Sequence, residues 1–107
     1  MSRIYISGKI TGLDINEARQ NFDNAQHLFE AKGYQVINPM KEVPYNPSFQ
    51  WGDYMRADIK LLMDCDAIYM LPNWDDSDGA KVEHYLAEQL NMEIIYSNSC
   101  QYAGNSY

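Results

Sequence analysis

The feature that most constrains this fold is a strict alternation of short apolar runs with amphipathic stretches. Ile4-Tyr5-Ile6-Ser7, Tyr34-Gln35-Val36-Ile37, Cys65 to Leu71 and Glu93-Ile94-Ile95-Tyr96 read as strands. Between them lie three segments of helical period. Strands that are almost continuously apolar need cover on both faces, which a parallel sheet between helix layers provides. The order β-α-β-α-β-α-β therefore predicts an α/β domain of three layers with four parallel strands and right-handed crossovers. Residues 97–107 are small and polar, and are expected to form a fifth strand, an arm or a tail.

Local signals set the boundaries. Asp14 with Glu17 three residues on reads as a capping box opening a helix whose period runs through Ala18, Phe22, Ala25, Leu28 and Phe29. Gly33 is its natural stop. Residues 38–50 hold three of the four prolines and read as a long surface loop, of the kind that often walls a pocket. A second helix is expected from about residue 49 to 64, and a third opens after Ser77-Asp78-Gly79.

The chain has 107 residues, 46% of them hydrophobic, which fits one domain with a core and excludes a disordered chain. No apolar run approaches the roughly 20 residues of a membrane span. Met1-Ser2-Arg3 runs straight into a strand without a leader pattern, and Cys65 and Cys100 show neither metal spacing nor a disulfide framework. A reduced cytoplasmic setting is expected. The net charge of −7 argues against a nucleic-acid polymer as partner, while leaving room for a single nucleotide at a local site.

Two carboxylates stand where side chains should point inward. On a wheel of residues 51–63, Trp51, Tyr54, Met55, Ile59 and Leu62 fall within about 140°, and Asp58 lies inside that arc. On residues 79–90 the stripe is Ala80, Val82, Leu86, Ala87 and Leu90, with Glu83 in its middle. A buried carboxylate needs a partner or a task. Two on neighbouring helices fit an acid/base or nucleophile pair, and equally fit acceptors for nearby backbone or Tyr groups. In a parallel sheet, ligands bind outside the carboxyl ends of the strands. Those ends are the loops at 7–13, 38–50, 72–79 and 97–99, which the two carboxylates flank.

Other residues are more ambiguous. Ser7-Gly8-Lys9-Ile10-Thr11-Gly12 suits a phosphate or ribose and equally a plain tight turn; its spacing is neither a Walker loop nor GxGxxG. Ser77 is a helix cap or an anion ligand. Asp75, Asp76 and Asp78 read as a solvated acidic loop, with no ligand spacing for a metal. Trp51 and Trp74 border the expected crevice, for stacking on a base or for packing. His27 and His84 show no triad or metal pattern.

Taken together, Ile4 to Gly12, Asp58 placed eight residues before Asp66, and Ser77-Asp78-Gly79-Ala80-Lys81-Val82-Glu83 resemble the nucleoside 2-deoxyribosyltransferase superfamily, including the 2′-deoxynucleoside 5′-monophosphate N-glycosidases. The resemblance covers residues 3 to about 97. It implies a Rossmann/flavodoxin-like three-layer domain over 1–97, with a four- to five-stranded parallel sheet, followed by a polar tail at 98–107. It implies Glu83 as nucleophile, Asp58 as its partner in proton transfer and sugar binding, and Tyr5 as the group orienting Glu83. Ser7, Gly8, Lys9, Ser77 and Gly79 would bind substrate, with Ser77 and the first loop at a 5′-phosphate. The implied partners are a small nucleoside or nucleotide and further copies of this chain, with no cofactor and no metal. The implied reaction breaks or transfers an N-glycosidic bond through a glycosyl-Glu83 intermediate, resolved by water or by a second base. The alternative is a nucleotide-binding or sensor domain that keeps the pocket without turnover.

Overall fold

The computed structural model describes residues 2–97. The first strand, β1 (Arg3–Ser7), is central: it pairs in parallel with β2 (Gln35–Ile37) on one side and β3 (Ala67–Met70) on the other. β4 (Glu93–Tyr96) joins β3, again in parallel, giving the order β2-β1-β3-β4. Register places Tyr5 beside Ile37 and Ile68, and Ser7 beside Met70. The fold is thus an α/β domain of flavodoxin-like order, as the alternation predicts. The polar tail, any fifth strand or arm it forms, and Cys100 lie outside the described residues.

Helix α1 (Ile15–Ala31) covers one sheet face, with Ile10 and Met40 packing at its margin. Asp14 opens it, its carboxylate accepting from the backbone N–H of Asn16 and Glu17 at 3.1 Å each. It closes in a Schellman turn: Tyr34 N–H bonds Phe29 O, Gly33 N–H bonds Glu30 O, and Gly33 takes φ +93°. The Tyr34 ring then meets Phe29 edge-on at 5.4 Å. Phe22, Ala25 and Phe29 bury against Ile4, Ile6, Ala67, Tyr69 and Leu71, while Leu28 of the expected stripe stays 47% exposed.

Residues 38–50 are not wholly loop. Pro39–Glu42 make a single helical turn, α2, because Asn38 accepts from Met40 N–H and Pro39 suits the first helical position. Helix α3 (Trp51–Met63) and helix α4 (Asp78–Gln89) cover the opposite sheet face, with a 3₁₀ turn at Trp74–Asp76 before α4. Leu62, Ala80 and Ala87 pack there on Tyr5, Ile68 and Met70. Trp51, placed on the apolar arc by the wheel, is 54% exposed: at the first residue of α3 it lies beyond the sheet's cover.

The chain runs from β1 outward to β2 and then returns past β1 to β3. The loops leaving β1 and β3 consequently diverge, and the crevice rule places a site between them.

Candidate active site

Side chains alternate along a strand, so Tyr5 and Ser7 of β1 both face α4. Glu83 of α4 meets them. Tyr5 Oη donates to Glu83 Oε2 at 2.7 Å, and Ser7 Oγ donates to Glu83 Oε1 at 2.7 Å. Each carboxylate oxygen therefore takes one hydroxyl. Glu83 is 4% exposed, Ser7 1% and Tyr5 0%. This is the arrangement a buried carboxylate requires, since an unpaired charge there is costly.

Two glycines let the walls close on this group. A Cβ at Gly8 would lie 2.5 Å from Leu71 Cδ1 and 2.8 Å from Leu71 Cβ, so the ends of β1 and β3 approach only because residue 8 has no side chain. At Gly79 a Cβ would lie 3.0 Å from Met55 Sδ, so the first turn of α4 packs closely on α3. α3 carries Asp58, half-buried and within electrostatic range of Glu83. Among the described residues the Asp58 carboxylate has no side-chain or backbone hydrogen-bond donor.

Burial governs the electrostatics. It pushes the Glu83 carboxyl up to about 7, while the hydroxyls of Ser7 and Tyr5 pull the other way. Asp58 is pushed up to about 7 as well, by burial first and then by the Glu83 charge. Tyr5 is raised well above its ordinary 10 by burial and then by the two carboxylates, so it stays a donor. Both carboxyls therefore take up a proton more readily than ordinary carboxylates, and each one's charge favours the proton on the other. The donors on Glu83 favour it as the anion and leave the proton to Asp58. An anionic carboxylate beside a protonated one suits both nucleophilic and general-acid work.

Other predicted site residues also make contacts within the chain. Ser77 Oγ accepts from Ala80 N–H at 3.1 Å and caps α4. Lys9 donates its backbone N–H to Asn73 Oδ1 at 3.1 Å, and its ammonium pairs with Asp76. Trp74 stacks on His84 with ring centroids 4.2 Å apart, and His84 Nε2 lies 2.6 Å from Tyr96 Oη, so this tryptophan is engaged in packing. The contact of Ser7 with Glu83, and the links from Lys9 to Asn73 and Asp76, are absent from the sequence-based expectations. The first was readable from the two-residue strand period. Cys65 lies just before β3, its Sγ 3.4 Å from Leu61 O, with burial pushing its thiol up to about 11. Among the described residues, no group of three or more His, Cys, Asp or Glu side chains converges as a metal site, and no helix is long and apolar enough to cross a membrane. A separate groove of about 390 Å³, lined by Asn24, Leu28, Tyr69, Leu71 and Asn73 among others, lies on the α1 face, away from Glu83.

The fold has a counterpart among solved structures. The 2-deoxyribosyltransferase of the psychrotolerant bacterium Bacillus psychrosaccharolyticus superposes with a TM-score of 0.69, covering 89% of this chain and 71% of that one. The identity is 16%, so the likeness is one of fold. No curated protein matches the chain. The family model described as a domain of unknown function (DUF4406) matches residues 2–96, and the chain belongs to that family.

Proposed function

We propose that this protein cleaves or transfers the N-glycosidic bond of a 2′-deoxynucleoside or its 5′-monophosphate, with residues 1–97 as the catalytic domain. The observation that carries the reading is the Glu83 carboxylate, held by Tyr5 and Ser7 at 2.7 Å each beside Asp58, at the point where the strand order reverses. The fold shared with a 2-deoxyribosyltransferase supports it, as does the order and spacing of Tyr5, Asp58, Ser77 and Glu83.

In this reading a Glu83 oxygen attacks C1′ of the sugar. The bond from C1′ to the base nitrogen breaks through an oxocarbenium-like transition state, and its electron pair leaves with the base. Asp58 supplies the proton that neutralises the base. Tyr5 and Ser7 hold the attacking carboxylate in one orientation, which lowers the entropy cost of reaction. Water, or a second base, then attacks C1′ and frees Glu83, returning a proton to Asp58. The first route makes a hydrolase and the second a transferase.

The protein acts in this reading as a homo-oligomer in the cytoplasm. Cys65 is a free thiol, and Trp51, Val82 and Tyr85 leave apolar surface exposed on α3 and α4. Sedimentation showing only monomer at micromolar concentration counts against the oligomer.

The test is base release, followed by chromatography over a panel of deoxynucleosides, their monophosphates, ribonucleotides and NAD. Glu83→Ala should abolish release from any substrate the native protein cleaves. Native turnover in that variant refutes the assignment, and a panel without any cleavage hands the site to the non-catalytic nucleotide-binding reading.

A further inference from the structure

The groove of about 390 Å³ on the α1 side of the sheet has two walls. One is α1, where Asn21, Asn24 and Leu28 stand on successive turns of one helix face. The other is the end of β3 and the residues after it, from Tyr69 and Leu71 to Asn73. The lining mixes apolar groups with carboxamides and holds no charged side chain, in a chain of net charge −7. Asn73 and Asn24 have their side-chain oxygens engaged, by the Lys9 N–H at 3.1 Å and by Gln20 Nε2 at 2.9 Å, so their amide groups remain as donors. Leu28 belongs to the apolar period of α1 and yet is 47% exposed.

The chain leaves the sheet beside this groove. Met70 pairs with Tyr96, so the next step of the register sets Leu71 beside Ser97, and Ser97 N–H still bonds Met70 O at 3.2 Å. Ile95 packs against the cluster that holds Tyr69 and Leu71. Side chains alternate along a strand, so Ser97, two residues on, is directed to the same side, where it is buried. Residue 98 therefore starts level with Pro72, a groove residue. Residues 98–107, which lie outside the described residues, contain Cys100, Tyr102 and Tyr107 and no charged side chain. In extended chain Tyr102 reaches up to about 16 Å from Ser97, at about 3.3 Å per residue. Asn21 to Leu28 spans about 10 Å of α1. A charged partner finds no complement in this lining, whereas an uncharged polar segment carrying an aromatic ring does.

We propose that residues 98–107 dock in this groove of the same molecule, with the Tyr102 ring against Leu28 and Leu71 and with chain carbonyls accepting from Asn24 and Asn73. The segment then closes the α1 side of the sheet over β3. The inference is independent of the chemistry read at Glu83.

Cys100 supplies the probe. In the full chain carrying Cys65→Ala, its thiol should react with iodoacetamide at least about tenfold more slowly than in a synthetic peptide of residues 97–107, because access limits a docked thiol. Leu28→Arg puts a charge in the groove and should restore the peptide's rate, and Tyr102→Ala should do the same by removing the ring. Val82→Arg, at a half-exposed position of α4 on the opposite sheet face, should leave the protection intact. Circular dichroism reports that each variant is folded, and Asn24→Arg, at an exposed position, replaces Leu28→Arg if the latter is not. A native thiol as reactive as the peptide's overturns the proposal. Protection that survives both groove substitutions overturns it too, as does protection lost in Val82→Arg. Protection that grows with protein concentration assigns the groove to a second copy and equally overturns docking within one molecule.

Discussion

Replacing Glu83 by Gln should make the protein more stable, and increasingly so as the pH rises. Burial lifts the Glu83 carboxyl from its ordinary 4.5 to about 7. A group lifted in this way stabilises the folded state while it is protonated. Its contribution is complete below about 4.5 and is lost as the pH climbs through about 7. A rise of about 2.5 pH units, at 1.36 kcal/mol each, comes to about 3 kcal/mol, and about a quarter of that is already lost at pH 5. Gln keeps the shape. Its carbonyl accepts one hydroxyl, and its amide donates to the other hydroxyl's oxygen. Removing the charge also relieves Asp58, whose rise to about 7 owes its second part to Glu83. A domain of this size gains about 4–8 °C in Tm per kcal/mol. The Tm advantage of Glu83→Gln should therefore grow by at least about 10 °C between pH 5 and pH 8. Thermal melts by circular dichroism at matched ionic strength measure it. An advantage that stays constant or shrinks with pH refutes the argument. Glu83→Ala is a poorer probe of this point, because it also opens a cavity.

Other outcomes follow from the same geometry. Tyr5→Phe removes one donor from Glu83, so its carboxyl should rise further and the acidic limb of the kcat/KM profile should move to higher pH; an unmoved limb argues against the contact at 2.7 Å. The same variant should lose less activity than Glu83→Ala, since orientation is lost and the nucleophile is not. Gly8→Ala should cost about 1–3 kcal/mol in urea unfolding, because Leu71 Cβ at 2.8 Å cannot swing aside as a side-chain tip would; an unchanged midpoint would show that the ends of β1 and β3 are not packed together. Ser77→Ala should lower stability by about 1 kcal/mol through the lost cap, with the denaturant slope unchanged.

Much of this was legible before any coordinates. Alternating apolar runs determine a parallel sheet because such strands have no wet face, and the observed strands fall within or next to the runs. Glu83 and Asp58 stood out because a carboxylate on an apolar stripe is anomalous wherever the helix packs. The turn at Pro39–Glu42 escaped notice because four residues are too few to show a period, although Asn38-Pro39 carries both a cap and a first-turn signal. The pairing of Lys9 with Asp76 spans 67 positions, and nothing local in either segment announces it. Ser77 carried two meanings, and the position of the Ala80 N–H supports the cap.

The central strand is also the first in the chain, and this has consequences for how the domain is made. Tyr5 and Ser7 wait for Glu83 across 78 and 76 positions. No local segment can assemble that constellation, and loop-closure entropy must be met before it forms. During synthesis β1 leaves the ribosome early, yet its inner face has nothing to bury against until β3 and α4 have also emerged. Until then the edge of β1 toward β3 stays open and Tyr5 has no cover, although β2 and α1 are already available for the other edge and for Ile4 and Ile6. Recovery of a buried Tyr5 signal during refolding is accordingly a marker of the completed domain, and it should lag behind the formation of α1, whose caps and turns are all local.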